Sequence, residues 1–380
     1  MSAESAPATS VASEPTVTAR AWYIVGILVL LYAFSCVDRY ILALLVEPVS
    51  AEFNISDNVQ GLMLGAGFAI VYSLTGLPLA HLIDRGQRRV IVAAGATAWG
   101  VATLASGFAP NLETLLICRA GVAIGEAVLS PAAVSLISDL FPQNKRSLPV
   151  SMYVGTSQLM GVGSFIVGAA ALDVATQVSP DVGMDPWRIT LIIVGLPSIF
   201  LAALIMLTVK EPARIAPPMP HGVATAEADG SLSAFFKHFL ANWLLYVPTF
   251  LGIGIGALMF YGQTAWLPSL LIRAYGTSAS EAGYLLGIVG MCAGLGGAFL
   301  WPWIAKAIGK KNLVMGLMLC LIAAAAIGSL GVMAATLVHD RTLALACFAL
   351  SLTALAAYAP INPILIQTVA PGRMHARLVS

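Results

Sequence analysis

Charge is what this sequence has least of. Asp, Glu, Lys and Arg make up 10% of its 380 residues, against roughly 25% in an ordinary soluble domain. The hydrophobic share is 59%, and the mean hydropathy is +0.89. That balance excludes a soluble globular protein. The net charge is only +1, so the composition gives no argument for a nucleic-acid partner and none is expected. The usual energising and catalytic signatures are missing too. No GxxxxGK[ST] loop is present, which removes ATP hydrolysis as a driving force. HExxH and GxSxG are absent, and with them the familiar zinc-protease and serine-hydrolase sites. The five cysteines, Cys36, Cys118, Cys292, Cys320 and Cys347, lie in apolar runs and none forms a CxxC pair. They read as small core residues, not as a disulfide framework or zinc site. None of the five histidines stands at ligand spacing from another. The expectation is a protein that is not an enzyme and takes no metal or cofactor.

What the chain has in abundance is apolar length. Runs of about 20 residues recur throughout, each enough to cross a bilayer core of about 30 Å. Ten spans are read at approximately 21–47, 60–82, 90–109, 112–138, 147–171, 188–208, 243–270, 282–305, 313–337 and 343–369. The fold class is therefore an all-α, multi-pass membrane protein. Residues 1–19 are rich in Ala, Ser, Thr and Pro and carry Glu4 and Glu14, so they read as a disordered tail and not as a secretory signal. The longest polar interval holds "KEPARIAPPMPHGVATAEADGS" and reads as a linker. The expected organisation is a bundle at 20–209, a linker at 210–242 and a second bundle at 243–380.

Positive charge sorts the loops into two sets. Fourteen Lys and Arg residues fall on one side, from Arg20, Arg85, Arg88 and Arg89 through Lys210, Arg214 and Lys310 to Arg373 and Arg377. The other side has only Arg188, Arg273 and Arg341, while Arg39 and Arg119 lie inside spans. The positive-inside rule places the N-terminus and linker in the cytoplasm, which suits a monomer in the cell membrane. The two bundles also echo each other. "SDNVQGLMLG" (56–65) and "SASEAGYLLG" (278–287) share Ser, four residues, Gly, two residues, Leu, Gly. Pro131 and Pro142 are matched by Pro360 and Pro371. A duplicated bundle is the organisation of many secondary transporters. Two more helices follow this point in the first bundle, so a final pair is expected to be absent from this chain.

The stretch "AHLIDRGQRR" (80–89) resembles the G-x-L-A-D-R-x-G-R-R signature between helices two and three of the major facilitator superfamily. Leu82, Asp84, Arg85, Arg88 and Arg89 match; Ala80 and Gln87 replace glycines, and Ile83 replaces alanine. The second-half copy is weaker, with Lys306 in place of the acid. "VDRY" (37–40) and "RAGVAIGEAVLSPAAVSLISDLFP" (119–142) are similar to the Spinster-type branch, although R-x-G-x-x-I-G-E-A also resembles other organic-anion facilitators. The resemblance implies two six-helix bundles and transport by alternating access. It also implies movement of lysolipids or sphingoid lipids such as sphingosine 1-phosphate, with proton dependence in some members. In that superfamily the acid at Asp84 pairs with neighbouring charges and helix ends to hold one conformation, which gives Asp84, Arg85, Arg88 and Arg89 a conformational role.

Four charges stand inside spans: Asp38, Arg39, Arg119 and Glu126. Each costs about 2.5–3.5 kcal/mol at a helix centre on an insertion scale, so all four are expected to face protein or a wet cavity. Arg119 and Glu126 are two turns apart on one helix face. Arg119 with Asp38, or Glu126 with Arg39, are the expected partnerships. A purely structural lock is the competing interpretation. Asp38 and Glu126 are the proton-coupling candidates. Arg39 and Arg119 offer planar forks to a phosphate or carboxylate. Tyr32, Tyr153, Tyr246 and Tyr261 are candidate walls of an amphipathic cavity. The expected function is a proton-coupled secondary transporter of an amphipathic anionic lipid. A small organic anion is the alternative substrate. A lipid enzyme and a non-transporting receptor are the remaining readings.

Overall fold

A computed structural model describes residues 17–214, 240–241, 243–310 and 312–369. Residues 1–16 of the tail expected at 1–19, most of the linker expected at 210–242, and the basic residues Arg373 and Arg377 lie outside the described residues; the end of the expected tail instead caps and starts α1, at Thr18 and Ala19. The first half contains α1 (Ala19–Phe53), α2 (Asp57–Gly61), α3 (Gly67–Arg85) and α4 (Arg88–Ser106). It continues with α5 (Leu112–Glu126), α6 (Leu129–Leu140), α7 (Ser147–Val182) and α8 (Pro186–Thr208). The second half contains α9 (Trp243–Tyr275), α10 (Ala279–Ile308), α11 (Leu313–Leu337), α12 (Arg341–Leu355) and α13 (Tyr358–Val369). No strand occurs among the described residues. Ten segments among the described residues are long and apolar enough to cross a membrane, the number read from the sequence.

Two spans expected as single rods are each broken. α5 gives way to α6 at Ala127–Val128, and α12 gives way to α13 at Ala356–Ala357. The cause is the same in both halves. A proline ring crowds the carbonyl four residues before it and supplies no N–H. Pro131 stands four after Ala127, and Pro360 four after Ala356. The helix starts are set locally. Asn111 accepts from Thr114 N at 2.9 Å, Ser278 from Glu281 N at 3.2 Å and Asp340 from Leu343 N at 2.8 Å, each cap contributing about 1 kcal/mol. The duplication extends to the turn before the repeated motif. Asn54 and Gly276, each two residues ahead of its motif's Ser, both adopt the left-handed conformation, at φ 49° and φ 64°.

In the first half α1 packs along α7 and α8, while α8 also covers α4. Gly100 and Gly195 permit the α4–α8 approach, since a Cβ on Gly195 would lie 2.7 Å from the Gly100 carbonyl oxygen. The halves meet along α7 and α10. Three glycines of α10 form the seam. A Cβ on Gly283 would fall 2.8 Å from Ala169, one on Gly287 2.4 Å from Ile166, and one on Gly290 2.2 Å from Val162. Small residues let membrane helices approach this closely.

Ends of the molecule are named here by charge. The basic end carries Arg85, Arg88, Arg89 and Arg214; the far end carries Arg188, Arg273 and Arg341. At the far end polar contacts tie the halves together. Arg273 of α9 donates to Glu47 of α1 at 2.8 Å and to both carboxylate oxygens of Asp57 at 2.9 and 3.2 Å. It also reaches Gln60 Oε1 at 3.2 Å. Asp173 of α7 accepts from Ser280 and, at 2.9 Å, from Tyr284, both on α10.

Candidate functional site

Midway along α1 a cavity of about 280 Å³ opens between the halves. Tyr32, Cys36, Arg39 and Tyr40 form its α1 wall, and Phe260 and Tyr261 face them from α9. Tyr40 and Tyr261 stack across the gap with ring centres 6.5 Å apart. Leu352, Leu355 and Ala356 supply an apolar side.

Arg39 is the cation at this wall. Its Nε and Nη2 donate to Glu126 Oε2 at 3.2 and 2.6 Å. Glu126 is wholly enclosed, whereas the Arg39 side chain is 20% exposed, so the guanidinium stands between the carboxylate and the cavity. Nη1 makes no hydrogen bond to the described residues. The second arginine lies deeper. Arg119 is buried and its Nη1 donates to the Asp38 backbone carbonyl at 3.0 Å. Arg119 and Glu126 of α5 thus both turn toward α1, each meeting a different residue of the adjacent Asp38–Arg39 pair.

Asp38 does not line the cavity. It is fully buried and points the other way, toward α8, where Ser198 Oγ stands 3.5 Å from its Oδ2. Thr103 of α4 is beside it. Consecutive helical residues are about 100° apart around the axis, which is why Asp38 and Arg39 serve different sides of one helix. Among the tyrosines, Tyr32 and Tyr261 line the cavity. Tyr153 is buried behind Tyr32, stacked at 4.7 Å, with its hydroxyl 3.2 Å from Ser130 Oγ. Arg119, Tyr153 and Tyr246 do not line the cavity.

The basic end holds a second charged cluster centred on Arg88. This side chain is 1% exposed and is shared by Asp139 of α6 and Glu211, with Nε–Oε1 of the latter at 2.9 Å. It also donates to Ser135 and to the Pro212 carbonyl. Glu211 Oε2 accepts from the Arg89 backbone N–H at 2.8 Å, and Arg89 Nη1 donates to the Val209 carbonyl at 2.9 Å. Asp84 takes part through its backbone. Its carbonyl, with those of Ile83 and Gly86, accepts from Arg214. Its carboxylate, like Arg85, is exposed. Sequence reasoning named Arg88 and Arg89 of this cluster, expected the Asp84 carboxylate in it where the structure uses the Asp84 carbonyl, and missed Asp139, Glu211 and Arg214. The acid and arginine just after the last span of the first bundle were the available signal.

Two bundles of helices, tied at one end and sharing a central cavity with a caged ion pair, define a membrane transporter. The chain belongs to the Major Facilitator Superfamily, whose profile matches residues 28–380. It is 29% identical over 342 residues to an MFS-type efflux pump of Mycolicibacterium smegmatis, covering 87% of this chain and 73% of the pump. It is 30% identical over 311 residues to protein spinster homolog 3 of Danio rerio, covering 76% of this chain. It spans only 57% of that protein's length. Among solved structures it is similar to a bacterial homolog of the human lysosomal transporter Spinster, in an inward-facing and unoccupied conformation. The TM-score is 0.78 at 26% identity, over 96% of this chain and 78% of the other.

Proposed function

We propose that this chain moves an amphipathic anion, with a lysolipid or sphingosine 1-phosphate as the preferred class, by proton-coupled alternating access. The observation that carries the reading is the Arg39–Glu126 pair at the cavity wall. An anion's oxygens find the unused Nη1 edge of a planar fork. Protonating Glu126 cancels the charge that holds Nε and Nη2, and frees those donors for the anion. Proton and anion binding then favour one another, which is the thermodynamic requirement for moving both together. Asp38 is enclosed on the other side of α1 and is the second proton site in this reading. Asp84, Arg85, Arg88 and Arg89 set the conformation at the basic end, which faces the cytoplasm.

A cavity of about 280 Å³ is at the small end of ligand sites. A lipid headgroup fits beside Arg39, and its chain leaves along Phe260, Leu352 and Leu355. The same volume favours a second reading, a small organic anion taken up whole. Counterflow of labelled lysophosphatidic acid and labelled gluconate in proteoliposomes, with and without a pH gradient, tests both. Movement of the lipid and not the sugar acid supports the first reading; the reverse supports the second. Movement of neither overturns the proposal.

A further inference from the structure

The other face of Arg39 is occupied by aromatic rings of α3. The guanidinium carbon lies 5.3 Å from the Phe68 ring centre and 5.5 Å from that of Tyr72. These rings are four residues apart on one helix and stack on each other at 5.9 Å. Phe68 also lies 5.7 Å from the Arg119 guanidinium, so one ring is within reach of both intramembrane arginines.

An irregular turn presents these rings. Between α2 and α3 the chain makes a π-turn at Leu62–Ala66, in which the Gly67 N–H bonds to the Leu62 carbonyl five residues earlier. A π-turn is one extra residue in an α-helix, and such turns concentrate at functional sites. Each added residue rotates the helix beyond it by about 100°. Gly67 is needed there, because a Cβ would lie 2.8 Å from the Leu62 carbonyl oxygen.

We infer that Phe68 and Tyr72 are positioning residues: together they form a π-faced seat that holds the Arg39 fork with its Nη1 edge toward the cavity, and so set its affinity for an anionic substrate. Three observations meet in this arrangement. The ring faces satisfy the guanidinium plane, which hydrogen bonds cannot do. Glu126 occupies the Nε–Nη2 edge in that plane. One edge is left, and Arg39 lines the cavity. The inference rests on the reading of Arg39 as the anion-binding group.

The test is counterflow kinetics of the full chain in proteoliposomes, with lysophosphatidic acid and gluconate as separate probes. Phe68→Leu and Tyr72→Leu remove a ring at similar bulk, whereas Phe68→Tyr and Tyr72→Phe keep one. A cation–π contact at a partly exposed site, as at Arg39, corresponds to about a 5-fold change in binding. The expected result is a KM about 5-fold higher in each leucine variant, with the maximum rate little changed, and near-native KM in the ring-keeping variants. The inference is overturned, and the anion reading left standing, if the leucine variants keep the wild-type KM while Arg39→Ala loses it. It is also overturned if the ring-keeping variants fail as badly as the leucines. Wild-type protein that moves neither probe sinks the anion reading and this inference together.

Discussion

Removing Arg273 should loosen the far end by a calculable amount. This one side chain joins the second half to two carboxylates of the first, Glu47 and Asp57. Its side chain is 41% exposed, so each pair is screened and has the modest strength of a surface ion pair, about 0.2–1 kcal/mol. Two pairs, one of them bidentate, give about 1–2 kcal/mol, a shift of about 5–30-fold in the equilibrium between closed and open far ends. Glu113 and Thr342 lie in the first turns of α5 and α12 at this end. Spin labels on Glu113→Cys and Thr342→Cys, with Cys118, Cys292 and Cys347 changed to Ser, report the separation by pulsed EPR. Arg273→Ala should add a longer-distance population. Arg273→Lys should recover only part of the loss, since an ammonium cannot bridge two carboxylates in the same plane. High salt should mimic part of the effect in the wild type. An unchanged distance distribution in Arg273→Ala would show that the glycine seam alone holds the far end, and the ion-pair reasoning would be refuted.

Glu126→Gln should abolish uptake driven by a pH gradient yet preserve exchange, measured in the same vesicles; a wild-type response to the gradient would exclude Glu126 as the coupling acid. Gly287→Val should hold the α7–α10 seam apart, because its Cβ would meet the Ile166 backbone nitrogen at 2.9 Å as well as the side chain; the same EPR pair should lengthen even with Arg273 intact. Arg88→Ala removes the buried cation that Asp139 and Glu211 share and should cost about 1.5–3 kcal/mol, the scale of hydrogen bonds to charged groups, read as a lowered thermal midpoint in detergent. Asp84→Asn, by contrast, should leave that midpoint nearly unchanged, since the carboxylate is exposed, while slowing exchange.

The membrane spans were legible because an apolar run declares itself by length. Their ends were less so. The fifth span reads as ending near 171 but α7 continues to Val182, since hydropathy registers lipid contact and not hydrogen bonding. The start of α10 was legible in the repeated motif that opens at Ser278, because N-capping is a local matter of three residues. The convergence of Arg119 and Glu126 on α1 was legible from helical spacing. That Asp38 and Arg39 diverge was implicit in the same spacing, but which of them meets the cavity depends on how α1 is rotated against α4, α5 and α8. Arg273 read only as a sparse far-side charge, because its partners are more than 200 positions away. Phe68 and Tyr72 escaped notice for a different reason. A period of 3.6 residues assumes a regular helix, and the π-turn resets the phase just before them.

That turn divides its helix into two working parts. Asp57 and Gln60, which Arg273 holds, precede it; Phe68 and Tyr72, which face Arg39, follow it. In the language of insertions and deletions, the π-turn is a single inserted codon. Deleting one residue between Leu62 and Ala66 would restore a plain α-helix and swing the two parts about 100° relative to each other. If Asp57 stayed with Arg273, the rings would leave Arg39; if the rings stayed, Asp57 would leave Arg273. A homologue lacking that residue has to place its far-end acids and its arginine-facing rings at a different separation along the chain. The length of this short segment is thus under joint constraint from both ends, although no residue within it is charged.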